Sequence, residues 1–261
     1  MTIRRTYLIT ASSGIGAETA RQLSGAGACF YLASRDVEMC KSLAGQLKDM
    51  GSECEFVAGD LTDPAFAPFV VSRCIEQFGR IDALFNVAGI SGRSYGDGPI
   101  HECTEEGWET TLRTNLTTQY RMCREAVKVM LEQEPGLNGQ RGVILAMSSI
   151  LAIEPDAKHF ATVAYAASKG AIIAMSKNMA ASYAGKRIRV NAIAPGLVRT
   201  PMSDRASSDP EIIEYMRYRQ PLLEDVIPVK DVAATCVYLL TDASHSVTGK
   251  VIEVDGGWGI A

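Results

Sequence analysis

Two residues late in the chain carry side chains that can move a proton together: Tyr165 and Lys169, in the run Tyr165-Ala-Ala-Ser-Lys169. On a helix, residues four apart lie on one face, about one turn from each other. An ammonium beside a phenol favours phenolate. The spacing therefore predicts a tyrosine pKa drawn down from about 10 towards neutrality. A phenol so tuned donates or accepts a proton at an alcohol or carbonyl oxygen. The same pair also suits an ordinary helix surface, so the chemistry depends on what the rest of the chain supplies.

Other candidates follow short apolar runs. The first run leads into Thr10-Ala-Ser12-Ser13-Gly14-Ile15-Gly16 and then helix-like sequence. Glycines there let backbone approach a pyrophosphate at a helix N-terminus, and a Gly-rich turn is the plain alternative. The second run ends in Ser34-Arg35-Asp36. Ser34 stands about 20 residues beyond Gly14, where an acid would bind a ribose 2′-hydroxyl. A neutral residue followed by Arg35 suits a 2′-phosphate, hence NADP rather than NAD, while Asp36 keeps NAD open if the strand ends one residue later. Asp60, followed by Leu61, either accepts from an adenine amino group or caps the next helix. Asn86-Val-Ala88-Gly89 leaves room for a flat group. Ser148 and Ser149 either bond a substrate oxygen or cap a turn. Asn115 is a poor helix former inside a helical pattern, and either faces outward or holds a water at a disrupted turn. Pro195-Gly196-Leu-Val198-Arg-Thr200 breaks the sixth run, and Thr200 can bond a carboxamide.

The elements that must position these residues are seven short runs: 7–10, 29–33, 54–58, 81–87, 143–147, 188–193 and 251–254. They are nearly continuous in apolar or small residues, which predicts strands buried on both faces of a parallel sheet. Longer helix-like stretches alternate with them, implying a single α/β domain over 1–261 with a doubly wound sheet and helices on both sides. In such sheets ligands bind beyond the carboxyl ends of the strands. The stretches 104–133 and 164–183 read as long helices, and the second carries few charges. Residues 201–220 read as a polar helical flap over the site. The glycine-rich stretch 91–99 is either a mobile rim of the site or a solvated loop.

Composition narrows the classes. The chain has 261 residues, 47% hydrophobic, with a formal net charge of −4. That charge gives no reason to expect nucleic acid. The seven cysteines are scattered, with no C-x-x-C pair, so neither a zinc site nor a disulfide framework is indicated. Free thiols in this number suit a reducing cytoplasm. The opening Met1–Thr6 shows no signal peptide, and no apolar run approaches the ~20 residues of a membrane span.

Taken in order, Ser12-Ser-Gly-Ile-Gly16, Asp60-Leu61, Asn86-Val-Ala-Gly89, Asn115, Ser148-Ser149, Tyr165-x-x-x-Lys169, Asn191-Ala-Ile-Ala-Pro-Gly196 and Val254-Asp-Gly-Gly257 resemble the short-chain dehydrogenase/reductases along essentially the whole chain. The resemblance is strongest to 3-oxoacyl carrier-protein reductases and to sugar and polyol dehydrogenases. It implies a Rossmann-type domain binding NADP(H) or NAD(H), and hydride transfer to or from a small carbonyl or alcohol substrate. It also implies a catalytic tetrad of Asn115, Ser149, Tyr165 and Lys169. Implied too is a cofactor site of Ser12, Ser13, Gly14, Ile15, Gly16, Ser34, Arg35, Asp60, Leu61, Asn86, Ala88, Gly89, Tyr165, Lys169, Pro195, Gly196, Val198 and Thr200, with assembly as a homotetramer or homodimer.

Two departures stand out. The family's phosphate loop opens T-G-x-x-x-G-x-G, but here Ala11 follows Thr10 and the first glycine is missing. Either a residue is deleted and the turn is shorter, or Ile9 and Thr10 take the Thr and Gly places, setting a β-branched residue at positive φ at a cost of about 1–2 kcal/mol. A non-catalytic nucleotide-binding protein is the reading that such damage would favour. The second departure is a longer Ser149-to-Tyr165 spacing than the family's usual one. The extra residues fall in 154–162, include His159, and are expected to bulge outward.

Overall fold

The computed structural model describes residues 4–261. Residues 1–3, the start of the opening read as lacking a signal peptide, lie outside the described residues. The first half alternates strictly: β1 (Arg5–Ile9), α1 (Gly14–Leu23), β2 (Ala28–Ser34), α2 (Val37–Asp49), β3 (Glu53–Ala58), α3 (Phe66–Phe78), β4 (Ala83–Asn86). The second half has α4 (Glu105–Leu112), α5 (Thr118–Glu132), β5 (Gly142–Met147), α6 (Val163–Tyr183) and β6 (Ile188–Pro195), then α7 (Asp204–Ser207), α8 (Pro210–Arg219), α9 (Val229–Leu240) and β7 (Val251–Val254). Local signals set several boundaries. Asp36 caps α2 by accepting from the Met39 N–H, and Thr104 caps α4 by accepting from Gly107. Gly79 ends α3 at φ 77°, a left-handed turn that glycine adopts without a Cβ penalty.

The strands form one parallel sheet in the order β3-β2-β1-β4-β5-β6-β7. Strand order reverses between β1 and β4, so a crevice opens beyond their carboxyl ends. Ile9, Phe30 and Leu145 pack on one face with α1, α2 and α9 residues such as Ala20, Leu43 and Leu239. Leu8, Leu84 and Ile144 pack on the other with Val70 of α3, Met122 of α5 and Ala180 of α6. This is the doubly wound arrangement expected from the apolar runs.

Two expectations need correction. The runs at β3 and β7 are not buried on both faces. These are the edge strands, flanked on one side only, and in β3 Glu53 and Glu55 turn outward to pair with Arg4 (2.8 Å) and Lys48 (3.2 Å). The stretch 104–133 is not one regular helix either. Between α4 and α5 a π turn runs over Arg113–Thr117, where the Thr118 hydroxyl takes the Thr114 carbonyl at 2.6 Å. Such wide turns gather at functional sites, and this one holds Asn115.

A third apolar cluster lies beyond the strand ends. Ile150, Leu197, Ala206, Ile212, Met216, Val226 and Trp258 meet there, drawn from segments far apart in sequence. Among the described residues no helix is long and apolar enough to cross a membrane.

Candidate active site

β5 ends at Met147 and delivers two serines to the crevice. Ser148 turns its hydroxyl onto the Lys169 carbonyl at 2.9 Å and so clamps α6 to the sheet. Ser149 begins a short helical turn, accepting from the Leu151 N–H at 3.2 Å, and its hydroxyl stands close enough to Tyr165 to favour the phenolate. Of the two serines, Ser149 is therefore the one that addresses the phenol. Lys169 is 3% exposed, donates to the Met147 carbonyl at 3.0 Å, and lies 5.5 Å from the centre of the Tyr165 ring.

This geometry overturns the expectation that Lys169 pulls the Tyr165 pKa down. The phenol is pushed up from its ordinary value by burial, and only Ser149 opposes the shift. The ammonium sits over the ring face and is engaged by a backbone carbonyl, not by the phenol oxygen. Burial acts on the lysine too, lowering it to about 8.

Asn115 is fully buried beside this group. Its Oδ1 accepts from the Ile90 N–H at 2.7 Å, and its Nδ2 donates to the Ile90 carbonyl (3.0 Å) and to Ser168 (3.2 Å). A relay water expected there meets a side-chain amide whose hydrogens are both already bonded. Asn115 joins the segment after β4 to α6, behind Lys169.

The loop 91–99 is neither free nor merely solvated. Asp97, 6% exposed, accepts from the Ala164 N–H (3.0 Å) and the Tyr165 N–H (2.8 Å), while Gly98 accepts from Val163. These are the first N–H groups of α6, which has no side-chain cap of its own. The carboxylate of a distant loop thus anchors the helix that carries Tyr165. Sequence reasoning missed Asp97, whose one signal is an acid between two glycines in a long loop.

A cavity of about 410 Å³ runs from this cluster across the sheet ends. Ser12, Ser13, Gly14, Ile15, Ser34, Arg35, Asp60, Leu61, Ala88, Gly89, Ser149, Tyr165, Lys169, Pro195, Gly196, Val198 and Thr200 all line it. Asn86, Gly16 and Asn115 do not. Asn86 donates to the Gln119 carbonyl at 2.9 Å and accepts from Thr10, which fixes β4. Gly16 lets α1 pack closely, since a Cβ there would stand 2.6 Å from that of Ala11.

The residues fit a dinucleotide. α1 begins without a side-chain cap and with no acid in its first turn, so its free N–H groups face the cavity. Gly14 takes φ +56°, which brings backbone to the surface there. Thr10 accepts from the Val87 (2.9 Å) and Ala88 (3.2 Å) N–H groups and is not at positive φ. The strain of a β-branched residue at positive φ therefore does not arise. Asp36 is occupied as the α2 cap, whereas Arg35 is exposed and makes no ion pair among the described residues. Asp60 does not cap α3. It accepts from the Thr62 N–H at 2.9 Å, which chiefly holds its carboxyl below the usual value.

At the opposite end, the 154–162 segment does not bulge outward. Asp156 accepts from the Tyr215 hydroxyl at 2.6 Å, and the His159 ring lies tilted against that of Tyr215, 4.9 Å between centres. Phe160 meets Trp258 edge-on at 5.6 Å, and the Arg219 guanidinium lies over the same indole at 4.7 Å. The segment packs onto α8 because it carries apolar and acidic partners for the polar-looking helix. Phe160, Met202, Arg93, Arg205 and Trp258 line this cavity; Met202 and Arg205 lie in the stretch expected to cover the site and Arg93 in the loop read as its possible rim, whereas Phe160 and Trp258 were not expected there.

The order of these features along the chain is matched by known proteins. A family model described as enoyl-(acyl carrier protein) reductase covers residues 9–259. The chain belongs to the short-chain dehydrogenase/reductase family. It is 32% identical to a 3-oxoacyl-(acyl-carrier-protein) reductase of Thermotoga maritima, over 96% of both chains. It is 33% identical to a D-threitol dehydrogenase of Mycolicibacterium smegmatis, over 96% of this chain and 90% of that one. Among solved structures, levodione reductase superposes with a TM-score of 0.88 at 28% identity over the full length of both. A variant of actinorhodin polyketide ketoreductase with NADPH gives 0.85 at 28% identity, over 99% of this chain and 98% of that one. As a member of this family the chain is an NAD(P)-dependent oxidoreductase acting on CH–OH groups.

Proposed function

We propose that the protein reduces a small carbonyl compound with NADPH, using Ser149, Tyr165 and Lys169 directly and Asn115 as their support. The observation that carries this reading is the meeting of Ser149, Tyr165 and Lys169 in one cavity with the uncapped N-terminus of α1. A bound NADPH supplies the hydride taken up by the carbonyl carbon. Ser149 hydrogen-bonds the carbonyl oxygen, and Tyr165 gives that oxygen its phenolic proton, so the product is an alcohol. A phenol pKa raised by burial suits this direction, because Tyr165 stays protonated at neutral pH. Lys169, lowered to about 8 by burial, can exchange a proton near neutrality close to the ring, and the phenol regains its own proton from solvent. In oxidation the same residues run in reverse, with Tyr165 as base.

The cofactor end is assigned to Ser12, Ser13, Gly14, Ile15, Ser34, Arg35, Asp60, Leu61, Ala88, Gly89, Pro195, Gly196, Val198 and Thr200, with Tyr165 and Lys169 beside the reacting carbon. Asn86 and Gly16 shape it from behind. Arg35, with Asp36 turned away as a helix cap, supports NADP over NAD. Similarity to the D-threitol dehydrogenase supports an NAD-linked polyol dehydrogenase as the second reading. A non-catalytic scaffold is disfavoured by the intact group around Tyr165. We also place the enzyme in the cytoplasm as a homotetramer or homodimer. Its seven cysteines are free thiols, and the exposed Trp108 and Tyr120 on α4 and α5 are apolar surface that a partner copy would cover.

The test is a screen of ketones, sugars and acyl thioesters against both cofactors, followed by absorbance. Wild type should bind NADPH at least about tenfold more tightly than NADH, the low end of a charged hydrogen bond because Arg35 is exposed. Arg35→Ala should erase the difference, and equal dissociation constants in wild type would overturn the NADP assignment.

A further inference from the structure

Two arginines stand at the rim of the catalytic cavity with no anion to meet them. Arg93 follows β4 and Arg205 lies on α7, and both line the cavity that holds Tyr165. Neither forms an ion pair among the described residues. They are close enough that Arg205, after burial, holds the Arg93 pKa below its ordinary value. The nearby carboxylate, Asp97, is already committed to the N–H groups of Ala164 and Tyr165. Like charges brought together at a cavity with only Asp97 to offset them in part cost free energy, and a ligand anion would reduce that cost. The expected nucleotide phosphates lie at the other end, at Arg35 and α1. Arg93, by contrast, donates to the His159 carbonyl at 2.7 Å, in the segment that packs on α8. Leu151, Phe160 and Trp258 line the same cavity and give it an apolar wall beside the polar Ser91 and Thr162.

We propose that Arg93 and Arg205 form an oxyanion subsite, and that the substrate is a carbonyl compound with an apolar body and a carboxylate or phosphate at the end away from the reacting carbon. This rests on the reading of the cavity as a carbonyl-reducing site. Guanidinium forks bind both anions well, so the structure names the shared chemistry and the experiment separates the two.

The experiment titrates linear and cyclic oxo carboxylates, their methyl esters and matching phosphate monoesters into the protein–NADP⁺ complex by calorimetry. Turnover with NADPH is measured in parallel. The acid should bind at least about tenfold more tightly than its ester, as for a charged hydrogen bond at an exposed rim, and the margin should shrink as salt is raised. Arg205 has no side-chain hydrogen bond among the described residues, so Arg205→Ala is the clean variant. It should abolish the preference by weakening the acid alone, Arg205→Glu should favour the ester, and Arg93→Lys should retain part of the preference. Whichever of carboxylate and phosphate binds more tightly identifies the anion. Three results would overturn the proposal: equal binding of acid and ester by wild type, equal loss of both in Arg205→Ala, or loss of NADPH affinity by the same factor as the acid. Calorimetry reads the subsite without turnover, so absence of any reduction would count against the carbonyl-reducing reading while the binding data still judge the arginines.

Discussion

The two ends of the cavity are built in different ways. The proposed nucleotide end is made of strand ends and the loops that leave them: Thr10–Ile15 after β1, Ser34 and Arg35 at the end of β2, Asp60 after β3 and Ala88–Gly89 after β4. Each piece is local, and the parallel sheet alone brings the pieces together. The other end is made of contacts between segments far apart in sequence, such as Asp156 with Tyr215, Phe160 with Trp258 and Asp97 with the start of α6. The first end is a property of the scaffold and suits a constant ligand. The second depends on the particular side chains of one chain, and it is there that the proposed function places the choice of substrate. Tyr165 and Lys169 stand at the junction.

Tyr165→Phe tests the junction most severely. It removes the one group placed to protonate the nascent alkoxide, and positioned general acids contribute about 10²–10⁴-fold. Turnover should fall by that range while NADPH binding hardly changes, measured by steady-state kinetics and a direct titration. Near-normal turnover on a confirmed substrate would sink both the assignment and the division into two ends.

Lys169→Met comes next and acts on stability as well. The folded protein releases the Lys169 proton near pH 8, against an ordinary value of 10.5, because burial disfavours the charge. Below pH 8 the wild type carries the full cost, 10.5 − 8 = 2.5 pH units or about 3 kcal/mol. Between pH 8 and 10.5 the unfolded chain holds the proton and the folded one does not, so stability rises with pH and the cost is relieved. Lys169→Met should therefore melt higher than wild type at pH 7, less the lost bond to Met147, and the gap should close as pH rises towards 10. NADPH should bind the variant more weakly. A variant less stable than wild type at pH 7 would show that the lysine is stabilised by its surroundings rather than strained by them.

Asp97→Asn sharpens the contrast from the other side, because it lies far from the reacting atoms in sequence. Asn offers one acceptor oxygen where the carboxylate offers two, so one N–H at the start of α6 loses its partner. A buried unpaired donor costs about 1–3 kcal/mol, which for a domain of this size lowers the melting temperature by roughly 2–10 °C. Turnover should drop as the Tyr165 backbone loosens, with NADPH affinity kept. Unchanged melting and turnover would mean that α6 needs no anchor from the loop.

What the sequence made legible follows the same division. Parallel strands, a glycine-containing turn before the first helix and a Tyr–Lys pair one turn apart are short-range patterns, and each lies where the pattern placed it, although the edge strands β3 and β7 are covered on one side only. The Tyr165 pKa was misjudged because spacing says that two side chains are near, not where the ammonium points or how deeply both are buried. Asp97 and the packing of 154–162 were not legible, since their partners are some 60 residues away along the chain (Asp97 to Tyr165 is 68, Asp156 to Tyr215 is 59) and no local period encodes such contacts.

The smallest effect is expected at the phosphate loop, where the missing glycine promised the largest defect. If the short turn were a lesion, inserting Gly between Thr10 and Ala11 would restore donors and tighten NADPH binding. The structure argues otherwise. Thr10 is already fixed by the Val87 and Ala88 N–H groups, the α1 N-terminus is already free, and Ala11 packs against Gly16 with no space to spare. An inserted residue lengthens the turn at little entropic cost. It also moves Ala11 off that contact and adds no donor aimed at the pyrophosphate. The dissociation constant for NADPH should stay within about threefold of wild type or rise, since a donor not aimed at the pyrophosphate adds none of the binding that a charged hydrogen bond would bring. Binding tightened tenfold by the insertion would show the short turn to be impaired, and would move the nucleotide end from a finished scaffold to one still missing a part.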